Sequence, residues 1–264
     1  MSDNSNITFW DHLEVLRWTI IRIVIVFFVF TIGFFYFMPK LFDHFILAPC
    51  HSDFFLYKFF ELVSFDSPFF PDFSKPDFHV DLININLASQ FIMHISSACW
   101  FAFICTCPYI IFEIYRFISS ALYKKEKNSV LLAFIFGTIM FYIGCCVSYV
   151  MVFPLTLRFL SQYQVSAEIP NQISLNSYMS NFFTLILVMG LVFELPLVSW
   201  LLSKLGLLTK SFFRRYRRHA VVILLIAAAL ITPSGDPFTL MIVFLPLYIL
   251  YEISALFVKK EVPV

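Results

Sequence analysis

Four apolar stretches, each more than 20 residues long, constrain this chain more than any other feature of its sequence. They cover residues 18–38, 87–112, 129–153 and 178–203. In a helix, about 20 mostly apolar residues are enough to cross the ~30 Å of hydrocarbon in a bilayer. Only 13% of the residues are charged and 60% are hydrophobic, a composition typical of membrane proteins. We therefore predict four membrane-spanning helices in these stretches.

Residues 220–258 are also apolar, but a turn interrupts them. Residues 232–237 read Thr-Pro-Ser-Gly-Asp-Pro, and two prolines with a glycine in so short a segment favour a turn. The uncharged residues before it, 220–231, would reach only ~18 Å as a helix. We predict a hairpin of two further helices at residues 219–232 and 238–257. At least the first is short for a full bilayer, so that either the membrane thins there or the hairpin sits shallow.

Six helices place both chain ends on one side of the membrane, and the basic residues indicate which side. Of the 18 lysines and arginines, 14 fall on the side of the termini. The other four are Lys40, Lys58, Lys75 and Arg158. Because loops rich in Lys and Arg stay in the cytoplasm, we predict cytoplasmic N- and C-termini. Arg22, near the end of the first stretch, is expected to extend its guanidinium to the interface.

The chain is predicted to be one all-α membrane domain over residues 1–264, with no internal repeat. Its long first outer loop, at about residues 39–86, is rich in Phe, Pro and Asp and is expected to pack over the helix ends as a cap. The first apolar stretch is too long for the core of a signal peptide, so we expect it to be retained as a span.

Several classes of site have no support in the residues. The six histidines are scattered, with no HExxH motif, and the chain has no Gly-rich phosphate loop and no GxSxG. Five of the six cysteines lie within apolar stretches and none forms CxxC, so small packing residues are more plausible than disulfides. The net charge of +1 gives no basis for nucleic-acid binding. We therefore expect no metal, no cofactor, no nucleic acid and no catalytic constellation.

Carboxylates are the residues most suggestive of function. Glu194 lies well inside the fourth stretch, and an acidic residue at that depth is expensive unless it is protonated, hydrated or paired. Pro196 frees a backbone carbonyl nearby and favours hydration. Glu194 is therefore a functional candidate, and the alternative is a neutral, hydrogen-bonded structural residue.

A second group of carboxylates falls on the predicted cytoplasmic face. Its members are Glu14, Glu113, Glu126 and Glu252. On a face dominated by Lys and Arg, acidic groups are well placed to receive a cationic ligand, above all a guanidinium. The alternative is that each neutralises a neighbouring Lys or Arg.

The motifs of this chain resemble those of the TatC family, the multi-span receptor subunits of the twin-arginine protein export system. Matching segments occur in order along nearly the whole chain: HLEVLR at residues 12–17, Ala48-Pro49, PYIIFEIYRFISSALY at 108–123, Lys125-Glu126, FYIG at 141–144, VFP at 152–154, FELP at 193–196, Arg217-Arg218, Thr232-Pro233 with Asp236-Pro237, and LPLY at 245–248 with Tyr251-Glu252.

The resemblance implies roles for particular residues. It implies that Glu126, beside Lys125, helps to bind the twin-arginine motif of signal peptides, with Phe117 as an aromatic of the same loop. Glu14 and Arg17, in the matching entry to the first helix, are expected to belong to the same signal-peptide-binding site. Within the membrane, the resemblance implies polar or partner-binding positions, namely Glu194, Asp236, Glu252 and Pro49.

The implied fold is a curved, glove-like array of six helices in which the fifth and sixth are short. The implied function is that of a signal-peptide receptor in the bacterial cytoplasmic (inner) membrane. Such a receptor assembles with single-span TatA- and TatB-type subunits into an oligomeric complex that draws on the proton-motive force. The principal alternative is a secondary transporter or proton-coupled channel that uses Glu194 as its ion site. An intramembrane enzyme is a third class.

This chain departs from the family pattern in two places. Many members carry a second Glu where this chain has Val15, which leaves Glu14 one residue away and ~100° around the helix. The turn before the last helix is one residue longer than the shorter family pattern, and Leu240 stands where a Gln is common.

Overall fold

The structure is a computed structural model that describes residues 9–63, 78–119, 127–164, 166, 168, 171–204, 206–232 and 235–258. These residues form α1 (Phe9–Leu41), α2 (Phe55–Val63), β1 (Leu82–Ile83), α3 (Ser89–Ser119), α4 (Lys127–Val147), α5 (Phe153–Gln162), β2 (Ile173–Ser174), α6 (Leu175–Val192), α7 (Leu195–Lys204), α8 (Lys210–Arg215), α9 (Arg217–Ile231) and α10 (Pro237–Phe257). The all-α membrane fold class is thereby confirmed.

Among the described residues, five helical segments are long and apolar enough to cross a membrane. They are Leu13–Cys50, Ser89–Phe117, Leu131–Gln162, Leu175–Lys204 and Pro237–Phe257. The helix α9 has 15 residues and is shorter than these five. A sixth span at residues 219–232, and the cytoplasmic position of both ends, stay predictions.

Two of the long segments contain a π-helical turn. The turn Phe42–Ile46 continues α1, and the turn Ser148–Val152 joins α4 to α5. Pro154 follows the second turn at the start of α5 and has no N–H to donate to the preceding helical turn. The wider turn carries the helix past this missing hydrogen bond without ending it.

The chain divides into two compact units, and the described residues of the first unit are 9–39, 94–119 and 127–138. Its helices are joined by aromatic and polar contacts. The His94 ring stacks on Phe35 with centroids 4.3 Å apart, and its Nε2 lies 2.9 Å from the Phe35 carbonyl oxygen. Phe34 and Phe101 pack with centroids 5.8 Å apart. An ion pair, described below, holds the other end of this unit.

The second unit comprises Lys40–Met93 and Ile139–Val264, and its core is aromatic. Phe153 and Phe182 are buried and pack edge to face with centroids 5.0 Å apart. The buried Tyr178 hydroxyl donates to the Ile46 carbonyl oxygen at 2.5 Å. A buried tyrosine hydroxyl needs a hydrogen-bond acceptor, and here a main-chain carbonyl of the turn after α1 is that acceptor.

A small polar layer within the second unit ties the predicted outer loop to α5. The strands β1 and β2 pair in parallel, with Leu82 opposite Ile173. The Tyr57 hydroxyl lies 2.9 Å from the Pro49 carbonyl oxygen and 3.1 Å from that of Pro154. The side chain of Arg158 is only 1% exposed, and its guanidinium carbon lies 4.8 Å from the centre of the Tyr57 ring. These contacts fasten the described part of the loop to the helices.

The helices α4 and α6 approach each other closely at two glycines. A Cβ added to Gly144 would lie 2.7 Å from the Met189 carbonyl oxygen and 2.8 Å from the Phe193 side chain. A Cβ on Gly190 would lie 2.8 Å from Cys145 Sγ. Small residues allow helix backbones in membranes to approach this closely, so both glycines set the separation of α4 and α6.

Gly144→Ala is expected to destabilise the chain, because the obstacle to the new methyl group is backbone that cannot rotate away. The expected loss is about 1–3 kcal/mol of unfolding free energy. Gly33→Ala is the matched control, since a Cβ there meets nothing within 4 Å. Thermal unfolding of both variants in detergent measures the difference. Equal unfolding temperatures for the two variants would contradict this packing.

Candidate functional site

Glu14 lies on the exposed side of α1, with only a weak partner. Its Oε1 is 3.7 Å from Arg17 Nη2, and both side chains are 64% exposed. A surface pair at this distance contributes little stability and is readily exchanged. Glu14 therefore stays available to a cationic ligand, and Arg17, whose guanidinium lies 5.7 Å from the Trp18 ring centre, stays beside it.

The Glu113 carboxylate, by contrast, already binds other side chains of this chain. Its Oε1 and Oε2 accept hydrogen bonds from Arg22 Nε at 2.9 Å and from Arg22 Nη2 at 2.8 Å. The Tyr109 hydroxyl adds a third bond to Oε1 at 2.9 Å, and the Glu113 side chain is 2% exposed. Such a bidentate pair satisfies both groups, so Glu113 is a structural residue and not an open ligand. The Arg22 side chain is 37% exposed while it binds this carboxylate, and the expectation that it extends to the interface stays a prediction.

The residues of the first predicted cytoplasmic loop that are expected to recognise the signal lie partly outside the described residues. Phe117 lies in the last turns of α3 and is half-buried, and α3 ends at Ser119. Lys125 and Glu126 lie outside the described residues. Their roles stay predictions.

The acidic residue of the fourth apolar stretch lies at a break in the helix. The helix α6 ends at Val192 and α7 begins at Leu195, so Glu194 lies between them. Pro196 lacks the N–H that a continuous helix would need at this point. The sequence analysis treated residues 178–203 as one stretch and did not place this break.

Both carboxyl oxygens of Glu194 are buried and form no hydrogen bond within the described residues. A buried polar group without a partner costs about 1–3 kcal/mol or more. The alternative of a hydrogen-bonded structural residue is therefore not supported, because no described residue bonds to this carboxyl group. Such a group is available to a proton or to a polar group from another chain.

Asp236 has a local structural task. It is the N-cap of α10, where its Oδ2 accepts from the Thr239 main-chain N–H at 2.8 Å and its Oδ1 lies 2.5 Å from Thr239 Oγ1. N-cap carboxylates satisfy free N–H groups and favour the helix dipole. Capping explains an acidic residue at this point in the turn.

Glu252 and Pro49 also have partners within the fold. Arg217 donates to Glu252 Oε1 from Nε at 2.7 Å, and its Nη2 lies 2.6 Å from the same oxygen. This carboxylate raises the pKa of Arg217 above its usual value. Pro49 lies buried in a 3₁₀ turn, and its carbonyl oxygen accepts from Tyr57 as described above. Neither residue is an open ligand in this arrangement.

The structure thus brings three of the candidate carboxylates into internal contacts and leaves Glu14 and Glu194 without strong ones. The sequence analysis missed the pairing of Arg22 with Glu113 and the burial of Arg158. In the sequence, a lone Arg among apolar residues indicates that its side chain needs a partner, but it does not identify that partner. No group of three or more His, Cys, Asp or Glu side chains able to hold a metal occurs in the described part of the chain.

Arg22→Gln is expected to lower the unfolding temperature, because it leaves the Glu113 carboxylate buried without its cation. The double variant Arg22→Gln/Glu113→Gln is expected to recover roughly half of the loss or more, since it removes both charges. Thermal unfolding in detergent measures all four members of this cycle. Additive losses in the double variant would show that the two side chains do not interact.

Comparisons with known proteins agree on one family. A family model described as Sec-independent protein translocase protein (TatC) matches residues 11–246. The TatC protein of Blattabacterium sp. subsp. Periplaneta americana (strain BPLAN) is 30% identical over 259 residues, which cover 96% of this chain and 95% of that relative. The TatC protein of Helicobacter pylori (strain ATCC 700392 / 26695) is 34% identical over 192 residues, which cover 73% of this chain and 75% of the relative.

The fold agrees with solved structures of the same family. A crystal structure of the twin arginine translocase receptor TatC matches with a TM-score of 0.68 and 28% identity, covering 93% of this chain and 97% of that one. A second crystal structure of this receptor, in DDM, matches with a TM-score of 0.70 over 94% and 99% of the two chains. The sequence and the fold therefore agree, and this chain belongs to the TatC family of Sec-independent protein translocase proteins.

Proposed function

We propose that this chain is the signal-peptide receptor of the twin-arginine export system. As a TatC-family protein it is a core subunit of that translocase. Its termini lie in the cytoplasm, its membrane is the bacterial cytoplasmic membrane, and it acts by binding and assembly without catalysing a reaction. The observation that carries the proposal is the family match over residues 11–246, which includes the motifs of the recognition loop.

The chemistry of recognition is that of guanidinium with carboxylate. A planar guanidinium donates two parallel hydrogen bonds to one carboxylate, which Lys cannot do. Glu126 is the principal acceptor, with Lys125 beside it and Phe117 as a neighbouring aromatic surface. Glu14 assists, and its exposure and weak 3.7 Å contact with Arg17 support this role.

Because position 15 is Val and not a second Glu, Glu126 is the main acidic residue for binding the signal arginines. Val15 is exposed on α1, where it offers an apolar contact instead of a charge. A signal peptide has an apolar segment beside its arginines, and Val15 is suited to contact that segment. Glu126 accordingly bears more of the electrostatic recognition in this chain.

Glu194 is proposed to serve the assembly. Single-span TatA- and TatB-type subunits dock on the helices, and a polar side chain of a partner helix supplies the hydrogen bond that the Glu194 carboxyl lacks within the described residues. Its protonation is the second candidate role, since transport draws on the proton-motive force.

A secondary transporter that uses Glu194 is the competing function. Transporters of that class are commonly built from repeats with paired broken helices. The break at Glu194 has no matching repeat elsewhere in the sequence. The two functions separate experimentally, because a transporter would move a small solute without any single-span partner.

Glu126→Ala is expected to abolish crosslinking of a twin-arginine signal and to reduce export of a folded reporter at least tenfold. The assay uses cells that lack their own receptor and express this chain with its cognate single-span partners. Glu168→Ala, which removes an exposed carboxylate on a predicted outer loop, is the matched control and should leave both activities intact.

Two results would contradict the proposal at different levels. Normal crosslinking and export in Glu126→Ala would show that the binding site is assigned to the wrong residue. No export by the unmodified chain with its partners present in the membrane would show that the function itself is wrong.

Glu194→Leu is expected to raise the stability of the isolated chain and to lower export. The substitution removes a buried carboxyl group without a partner, so the unfolding free energy should rise by about 1 kcal/mol or more. Glu194→Gln is the control, because it keeps a polar side chain of the same size. Lower stability together with normal export in Glu194→Leu would assign the residue to the fold alone.

A further inference from the structure

The segment that links α7 to α9, residues 204–219, is the most strongly charged part of the second unit and has no task in the proposed function. We call it the basic elbow. No Asp or Glu occurs between Glu194 and Asp236, so the sequence supplies no local carboxylate to its cations. Its six basic residues are Lys204, Lys210, Arg214, Arg215, Arg217 and Arg218.

Contacts with α10 hold the elbow in place. Phe213 is buried, its ring centroid lies 5.2 Å from that of Tyr251, and its carbonyl oxygen accepts from the Tyr251 hydroxyl at 2.8 Å. Four residues later, Arg217 binds Glu252. Residues four apart lie on the same side of a helix, so Phe213 and Arg217 together fix the inner side of the elbow. Glu252 thereby neutralises one of the six cations.

The helical spacing continues through the junction of α8 and α9. The Tyr216 N–H donates to the Phe212 carbonyl oxygen at 3.0 Å, and the Ala220 N–H donates to that of Tyr216 at 2.9 Å. Lys210, Arg214 and Arg218 therefore follow one another at helical spacing along one side. Arg214 and Arg218 are exposed, and within the described residues none of these three side chains forms an ion pair.

An aromatic surface lies on another side of the same segment, because residues two apart on a helix point in different directions. Phe212 and Tyr216 are 45% and 41% exposed and pack with ring centroids 4.6 Å apart. The exposed Leu207 precedes them in the chain. A helix with basic residues on one side and exposed aromatic residues on another is typical of segments at the boundary between headgroups and acyl chains.

We propose that the basic elbow is a binding site for anionic phospholipids, whose phosphate groups are held by Arg214 and Arg218. Phe212 and Tyr216, on another side of the helix, contact the upper acyl chains of neighbouring lipids. Lysine and arginine clusters at the cytoplasmic end of a membrane helix attract anionic lipids by about 1 kcal/mol per residue. Each of the two guanidinium groups can add bidentate hydrogen bonds to a phosphate to that attraction.

Two simpler explanations make different predictions. If the charges serve only to orient the chain during insertion, the folded protein has no preference among lipids. If the elbow is a site for free phosphate, inorganic phosphate competes with the lipid at equal concentration. The aromatic side and the fixed inner side favour a lipid over both explanations.

The test measures lipid binding to the full chain purified in a zwitterionic detergent. Native mass spectrometry gives apparent dissociation constants for phosphatidylglycerol and phosphatidylcholine. We expect the unmodified chain to bind phosphatidylglycerol more tightly than phosphatidylcholine. We expect R214Q/R218Q to bind phosphatidylglycerol about 10–30-fold more weakly than the unmodified chain does, because two basic residues are lost. The matched control K40Q/K58Q removes two charges on the predicted opposite face and should bind normally.

A third variant guards against loss of folding or insertion. R214K/R218K keeps both charges and is expected to lose less affinity than R214Q/R218Q. Any of four results would overturn the proposal: equal binding of the two lipids, unchanged binding by R214Q/R218Q, equal loss in the Lys and Gln variants, or displacement of the lipid by inorganic phosphate at equal concentration.

Discussion

The absence of water in hydrocarbon is the constraint on which this structure depends. A polar group within an apolar span must find its partner inside the protein, because an unsatisfied group there costs several kcal/mol. The Arg22 guanidinium meets this demand by binding both oxygens of Glu113. Before Pro154, which has no N–H, a π-helical turn changes the helix geometry so that the helix continues despite the missing hydrogen bond. The carboxyl oxygens of Glu194 form no hydrogen bond within the described residues, and this is the observation behind its proposed role.

Close packing of small residues occurs next to Glu194 in the chain. Gly144 and Gly190 let α4 and α6 approach until an added Cβ would clash. The fixed approach holds Phe193 against α4 immediately before the helix break. Glu194 is therefore positioned by packing and not by bonds to its own carboxyl group. A side chain held in this way keeps its polar atoms available to a proton or to another subunit.

The apolar stretches and the family motifs predicted the fold class and the family, because both are properties of local sequence. The internal pairs could not be predicted from them. Arg22 and Glu113 are 91 residues apart and Arg217 and Glu252 are 35 apart, and hydropathy contains no information about which charges meet. For the same reason Glu113 resembled an open ligand until its partner was located. The break at Glu194 required the tertiary packing of its helix.

We propose that Glu126, assisted by Glu14, recognises the arginines of the signal, since Glu113 and Glu252 are already paired with Arg22 and Arg217. A coupling measurement tests this proposal most directly. The affinities of a twin-arginine signal peptide and of its twin-lysine counterpart are measured for the unmodified chain and for Glu126→Gln. We predict that the unmodified chain prefers arginine at least tenfold and that Glu126→Gln loses most of this preference. An equal preference for arginine in both proteins would contradict direct recognition by Glu126.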